Sequence, residues 1–568
     1  METLQALLTR KLAEALTAAN LPQAGAVTLA TDARFGDYQT NAALVLAKQV
    51  GENPRALAQR ILDAYDLGDL CEPPTIAGAG FINLTLRPAA IAARTAELLR
   101  DERLGVEQVV SPKRIVIDFG SPNVAKPMHV GHIRSTVLGD ALARIASFLG
   151  HDVIRDNHIG DWGTQFGMVI YGWKNLLDRA ALERDPIAEL VRIYKETNQK
   201  ATSDPKVQEA VRAELVKLQA GDPENFSIWK ETVDLSMKEF ERVYQVLDIH
   251  YDIQRGESFY NDRLPAVVER LLKSKIAEIS EGAVCVFFPD LPDLAERPAI
   301  IRKSDGGFNY ATTDVATVDY RIQDLKADTV WLVVGAPQIL HFKQIIAIAR
   351  REGYTADFHH ITFGSILGEN RKLMKTRSGE NVPLRDLLDE AVQRARKIME
   401  EKNPNLGESE KVDIAQKVGI GAVKYYDLSQ YRMTDYIFSW ERMLSFQGNT
   451  APYLQNAYVR IRSIFRKAGE EFVPVKELVL AAPEERLLAL RLCQFAEVVP
   501  TVLNDFRPNI LANYLYELAN CFHAFYEACP VLKSEEPARS SRLALCELAA
   551  RVLHRGLDLL GIGVPEKM

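Results

Sequence analysis

The feature that most constrains this chain is a strand, a glycine-containing loop and a long helix in succession between Arg114 and Gly150. Arg114-Ile-Val-Ile-Asp-Phe119 reads as a buried strand and Ser121 to His132 as a loop. The run to Leu149 reads as a helix, with Gly150 as its C-terminal cap. Strand, loop and helix in this order are the grammar of a parallel α/β sheet. The first N–H groups of such a helix lack partners and the positive end of its dipole points at the loop, so the unit is an anion site. His129 and His132, three apart around the first helical turn, can both face one bound phosphate. Gly131 between them lets a nucleotide approach the backbone closely. Taken alone, an H-x-x-H pair is also half of a metal site, but no third ligand of suitable spacing accompanies it.

Around this unit the 568 residues divide into several domains. Residues 1–107 read as an α+β module: a helix within Met1 to Asn20, a second helical run near Thr40 to Tyr65, and a strand at Phe81 to Leu86. Residues 108–380 read as a Rossmann-type domain with a parallel sheet, split by a charged helical insertion at about 178–250. The sheet is expected to be completed by strands at Ala283 to Phe288, Thr329 to Val334 and Ile361 to Leu367, with a helix at Ile339 to Glu352. Residues 381–440 and 441–568 are helical by periodicity, the latter forming an all-helical C-terminal bundle.

Composition removes several function classes. No stretch approaches the ~18 uninterrupted apolar residues of a membrane span. The six cysteines are scattered, with no C-x-x-C pair, which fits a reducing cytoplasm and no structural zinc. A net charge of -7 argues against a general polyanion binder such as a DNA-coating protein, so any RNA contact is made by local patches.

The run Ser121-Pro-Asn-Val-Ala-Lys-Pro-Met-His-Val-Gly-His132 resembles the HIGH motif of class I aminoacyl-tRNA synthetases in the form seen in the arginyl family. The match continues through Ile133-Arg-Ser-Thr and Gly160-Asp-Trp-Gly-Thr-Gln-Phe-Gly167. A cationic, glycine-bounded loop, Gly368-Glu-Asn-Arg-Lys-Leu-Met-Lys-Thr-Arg-Ser-Gly379, stands where that class carries its KMSKS loop. It departs from the consensus, with threonine in Met374-Lys-Thr-Arg377 where a second lysine is usual; in the arginyl family Lys126, just upstream of the histidines, is thought to share the load. The resemblance implies ATP-dependent activation of L-arginine and its transfer to the 3′-terminal adenosine of tRNA(Arg), with Mg2+ carried on ATP. It further implies a cytoplasmic monomer. A class I synthetase for another amino acid and a catalytically silent RNA-binding relative are the alternatives.

Carried over residue by residue, the resemblance makes Lys126, His129, His132, Lys375 and Arg377 catalytic. It places Gly131, the two histidines, Gln338, His341 and Met374 on ATP. Arginine falls to Asp118, Asn123, Glu257, Tyr310, Asp314 and Gln338, which suits a planar guanidinium that demands fork-shaped acceptors. For tRNA the candidates are Phe81 and Asn83, set by strand alternation on one face, and Tyr453, Tyr458, Arg460, Arg462 and Met568 in the C-terminal domain. Aromatic and basic residues interleaved in this way suit stacking and phosphate contact.

Overall fold

Ile115, Val116 and Ile117 are fully buried, and Thr329–Leu332 is buried at every position, as strands covered on both faces must be. In the computed structural model, which describes residues 1–375, 381–469, 472, 473, 475 and 477–568, these two strands lie side by side. They are central to a five-stranded parallel sheet ordered Asp357–His360, Thr329–Leu332, Arg114–Asp118, Asp152–Ile159, Ile253–Gly256. The chain enters at Arg114–Asp118, builds outward to one edge, then returns to build the other. The carboxyl end of Arg114–Asp118 is therefore the topological switch point, where open α/β sheets bind ligands.

Three expectations are corrected here. Ala283–Val286 is a strand, but it pairs antiparallel with Glu278–Ser280 and Ala299–Arg302 in a separate small sheet. The outer parallel strand is Asp357–His360, whose polar residues suit an edge. Of Ile361 to Leu367 only Ile366–Leu367 is extended, pairing with Tyr436–Ile437.

Between the strands Asp152–Ile159 and Ile253–Gly256 the chain is helical from Gln165–Leu176 through Pro223–Val246, the stretch that holds the expected insertion. Three of its helices start at Asp-Pro steps: Asp185, Asp204 and Asp222 each accept a main-chain N–H two or three residues on. Proline at the first helical position gives up no needed donor, and each such cap contributes roughly 1 kcal/mol.

The chain divides into two units. Val109–Leu444 with Leu560–Ile562 forms the unit just described; Met1–Gln108 forms the other together with Ser445–Leu559 and Gly563–Met568. In the latter, an antiparallel sheet ordered Val27–Leu29, Tyr38–Thr40, Phe81–Leu84, Thr75–Ala77 packs with helices. The helical run expected near Thr40 to Tyr65 is two helices, Ala42–Val50 and Pro54–Ala64, because Gly51 adopts a left-handed conformation and Asn53 caps the second. Helices from both ends of the chain share this unit's interior. Tyr38 Oη donates to both oxygens of buried Glu497 (3.0 and 3.1 Å), the Gln5 N–H donates to it as well (2.9 Å), and Arg486 pairs with Asp37. Arg551 donates to the carbonyls of Leu99 and Asp101.

Candidate active site

The helix Val130–Phe148 begins with an unusual cap. The Gly131 N–H donates to His129 Nδ1 (3.1 Å), and the His129 N–H donates to His132 Nδ1 (3.0 Å). Each Nδ1 is an acceptor, so in each ring the proton sits on Nε2. Burial pushes both pKa values down, that of His132 to about 3 with a further push from His129. Two neutral imidazoles, ring centroids 4.0 Å apart, thus each keep an Nε2–H donor without formal charge. Gly131 serves this cap directly: a Cβ there would stand 2.8 Å from His129 Cε1.

A cavity of about 400 Å³ opens at this turn. His129, Gly131 and Arg134 line one wall, Gly335–Pro337 beyond the end of Thr329–Leu332 a second, and Phe363–Ile366 with Leu373 and Met374 a third, closed by Asn381, Met433 and Asp435. It lies at the switch point that the strand order defines.

The loop before the histidines is held from several sides. Ser121 and Ala125 adopt positive φ (47° and 61°) although neither is glycine. Pro122 and Val124 exchange main-chain hydrogen bonds with Gly160, the first residue of the second motif. A Cβ on Gly160 would come within 2.3 Å of Asn123 Oδ1, so a side chain there would evict the asparagine. Asp118, 5% exposed, receives Arg321 (2.7 Å) on one oxygen and Ser121 Oγ (3.1 Å) on the other; Arg321 also meets Asp156 (2.8 Å). The charge of Asp118 is therefore balanced inside the fold, where it anchors the loop. Lys126 is exposed, its Nζ 5.7 Å from the Tyr194 ring centroid.

The cationic loop leaves the cavity as a tight hairpin, Leu367 bridging Leu373, with exposed Arg371, Lys372 and Lys375. Thr376 to Glu380, and with them Arg377, lie outside the described residues. Where the chain resumes, it is tied to the histidine turn: the Val130 N–H donates to Val382 O (2.9 Å) and the Leu384 N–H to Met128 O (2.8 Å).

A second cluster stands at the same end of the sheet. Asp314 lies on the helix Tyr310–Asp319, His158 at the carboxyl end of its strand, and His341 in the first turn of Ile339–Arg351. Asp314 Oδ2 is 2.5 Å from His341 Nε2, and Oδ1 is 4.0 Å from His158 Nε2. Tyr310 is 61% exposed, its ring centroid 4.8 Å from that of His341. Glu257 belongs to the same electrostatic neighbourhood: burial first, then Asp314 and Asp161, push its pKa up to about 8. Asp161 is itself held by the N–H and Oγ of Ser258. Tyr310, Asp314 and His341 are not among the cavity-lining residues, and Gln338 is exposed one turn before His341. The structure brings the two clusters to one sheet end as neighbours, with Gly335–His341 running from one to the other. Sequence reasoning missed Arg134, Arg321 and His158; the alternation Asp156, His158 just before Gly160 was a usable signal for the last.

In the other unit two candidates are corrected. Asn83 is 6% exposed, because its strand is internal to the antiparallel sheet and is flanked by both Gln39 and Thr75. Tyr458 is 5% exposed beneath Arg462, which pairs with Glu547 (2.9 Å). Phe81 does face solvent. Tyr453 clusters with Tyr516 and His523, and its hydroxyl donates to Asn520 (2.7 Å); Arg460 lies over Tyr526. Met568 is partly exposed.

Three family models match in order: the arginyl tRNA synthetase N-terminal domain over residues 2–86, the class I (R) tRNA synthetase catalytic domain over 94–440, and the DALR anticodon-binding domain over 454–568. The chain belongs to the arginyl-tRNA synthetase family. It is 47% identical to an arginine–tRNA ligase of Synechococcus elongatus over 552 residues, 95% of this chain and 94% of that one. An arginine–tRNA ligase of Chromobacterium violaceum is 44% identical over the whole of both chains. The solved arginyl-tRNA synthetase of Thermus thermophilus superposes with a TM-score of 0.85 at 28% identity, covering all of both chains.

Proposed function

We propose that this synthetase is an arginine–tRNA ligase, and that the observation carrying its chemistry is the pair of neutral, Nε2-protonated imidazoles at the mouth of a helix. ATP enters the cavity with its Mg2+, the adenine against Gly335–Pro337 and Met374, the phosphates toward His129, which lines the cavity, and His132 behind it. The arginine carboxylate attacks the α-phosphate and pyrophosphate leaves. The two N–H donors stabilise charge that develops on the phosphate oxygens, and they do so without the reorganisation that water would need. Lys126, Lys375 and Arg377 receive the departing pyrophosphate.

The guanidinium is taken by Asp314, Tyr310 and Glu257, with Asn123 and Gln338 at the amino-acid backbone. Two carboxylates together select a planar fork over an ammonium of the same charge. The terminal adenosine of tRNA(Arg) then attacks the adenylate. Phe81 and the Tyr453–Arg460 surface serve tRNA contact. The protein acts as a cytoplasmic monomer.

Charging assays with purified tRNA and each standard amino acid test the assignment. The expected result is esterification of arginine alone, with ATP–pyrophosphate exchange that requires arginine and cognate tRNA. Exchange driven equally by another amino acid would replace this reading with that of a different synthetase.

A further inference from the structure

His341 lies beside the proposed arginine site and is not among the residues that line the cavity at the histidine turn. Its Nε2 is 2.5 Å from Asp314 Oδ2, a hydrogen bond in which the imidazole N–H donates to the carboxylate oxygen. The ring is wedged between Tyr310 (centroids 4.8 Å apart) and Phe342 (5.2 Å), which fixes its orientation. The other oxygen of Asp314 has His158 at 4.0 Å, beyond hydrogen-bond range, and the Asp314 side chain is one-fifth exposed.

The terminal torsion of an aspartate is soft and twofold, so an unheld carboxylate presents its oxygens in many orientations. One short bond to a clamped imidazole removes that freedom. We propose that His341 is a positioning residue for amino-acid recognition: by gripping Oδ2 it fixes the plane of the Asp314 carboxylate and presents Oδ1 to the guanidinium. This deepens, and rests on, the reading of Asp314 as the guanidinium acceptor. The consequence is selective. A planar fork gains from an acceptor held in one plane, whereas a rotating ammonium does not. His341 therefore contributes to discrimination between arginine and lysine, although it touches neither. The helix it starts continues from Gly335–Pro337, the turn that lines the nucleotide cavity, so its placement also ties the two substrates' walls to one segment.

The test compares His341→Phe, which keeps the ring packing and loses the donor, with His341→Gln, which keeps an N–H donor, and with Asp314→Asn. Full-length proteins are assayed for arginine KM, ATP KM and kcat, and lysine is measured as a competitor of arginine. We expect His341→Phe to raise arginine KM at least tenfold, with a smaller change in kcat, no change in ATP KM and unchanged inhibition by lysine. His341→Gln should recover most of the loss, and combining His341→Phe with Asp314→Asn should add little to Asp314→Asn alone. Arginine KM unchanged in His341→Phe while Asp314→Asn is impaired overturns the inference alone. Arginine KM unchanged in Asp314→Asn overturns the underlying reading. A rise in ATP KM matching that for arginine returns His341 to the nucleotide site. If His341→Phe fails to fold, His341→Gln decides: its arginine KM must stay near that of the parent, and a loss as large as that of Asp314→Asn overturns the proposal.

Discussion

Arg134 Nε lies 3.1 Å from Asp427 Oδ2, and both side chains are more than nine-tenths buried. Asp427 also receives the Tyr436 hydroxyl (2.9 Å), and Tyr436 belongs to the short strand that pairs with Ile366–Leu367 just before the cationic loop. The ion pair joins the histidine helix to the helix Glu408–Leu428, and Tyr436 carries the link on to the strand that leads into the loop. Removing either partner leaves a buried charge unpaired, at a cost of about 3–5 kcal/mol. Asp427→Asn and Arg134→Met are each expected to lower the thermal midpoint. Arg134→Met should also raise ATP KM, since Arg134 lines the cavity. Thermal melts with and without ATP check this, and an unchanged midpoint in both variants would show the pair to be energetically idle.

With Glu257 among the proposed guanidinium acceptors, arginine binding should depend on pH with a definite sign. Its pKa is pushed from the ordinary 4.5 to about 8 by burial and by Asp314 and Asp161, so at neutral pH the empty site holds it protonated. The neutral form favours the free fold; that advantage is complete below the ordinary carboxyl value and is lost as pH rises through about 8. A guanidinium requires the ionised form, so arginine binding at pH 7 should release a proton. Affinity should then climb up to tenfold per unit toward pH 8 and flatten above. Calorimetric titrations in buffers of different ionisation enthalpy measure the proton directly. Glu257→Gln should bind more weakly and without the slope.

His132 sets a contrasting expectation. With its pKa held near 3, it stays neutral throughout the working range and imposes no acid limb of its own between pH 5 and 9. His132→Ala should lower the rate of ATP–pyrophosphate exchange by roughly 10²–10³, the usual loss for one preorganised donor. A drop below tenfold would remove His132 from the transition state.

Glu497 should make the stability of the other unit pH-dependent. Burial raises its pKa from 4.5 to about 7, against the opposing bonds from Gln5 and Tyr38 and the charge of Arg94. Because the folded value lies above the unfolded one, the stabilisation of the neutral form is intact below about pH 4.5 and is lost as pH rises through 7. By linkage the loss approaches about 3 kcal/mol. Melting temperatures between pH 5.5 and 8.5 should fall for the parent and level out for Glu497→Gln. Parallel curves for the two proteins would show that this carboxyl does not govern the slope.

The parts of this molecule that could be read from sequence are local. Arg114 to Leu149 announces strand, loop and helix because each signal lies within a few residues of the next, and His129 and His132 meet as their spacing requires. The strand at Ile361 to Leu367 misled because its apolar residues outnumber those of Asp357–His360, yet an edge strand can be polar and an apolar run can line a cavity. Asn83 misled because alternation tells which side of a strand a residue faces and says nothing about what covers that side. The grip of His341 on Asp314 and the burial of Glu497 under Tyr38 have no sequence signature, because each joins segments that only the folded chain brings together.

Tyr38 and Glu497 are 459 residues apart in the chain. At ~5–20 residues per second the ribosome finishes the first of them tens of seconds before the second. Through that interval Tyr38, Asp37 and the carbonyls of Leu99 and Asp101 lack these partners, while the unit built on the parallel sheet is made. A segment translated later thus completes one translated earlier.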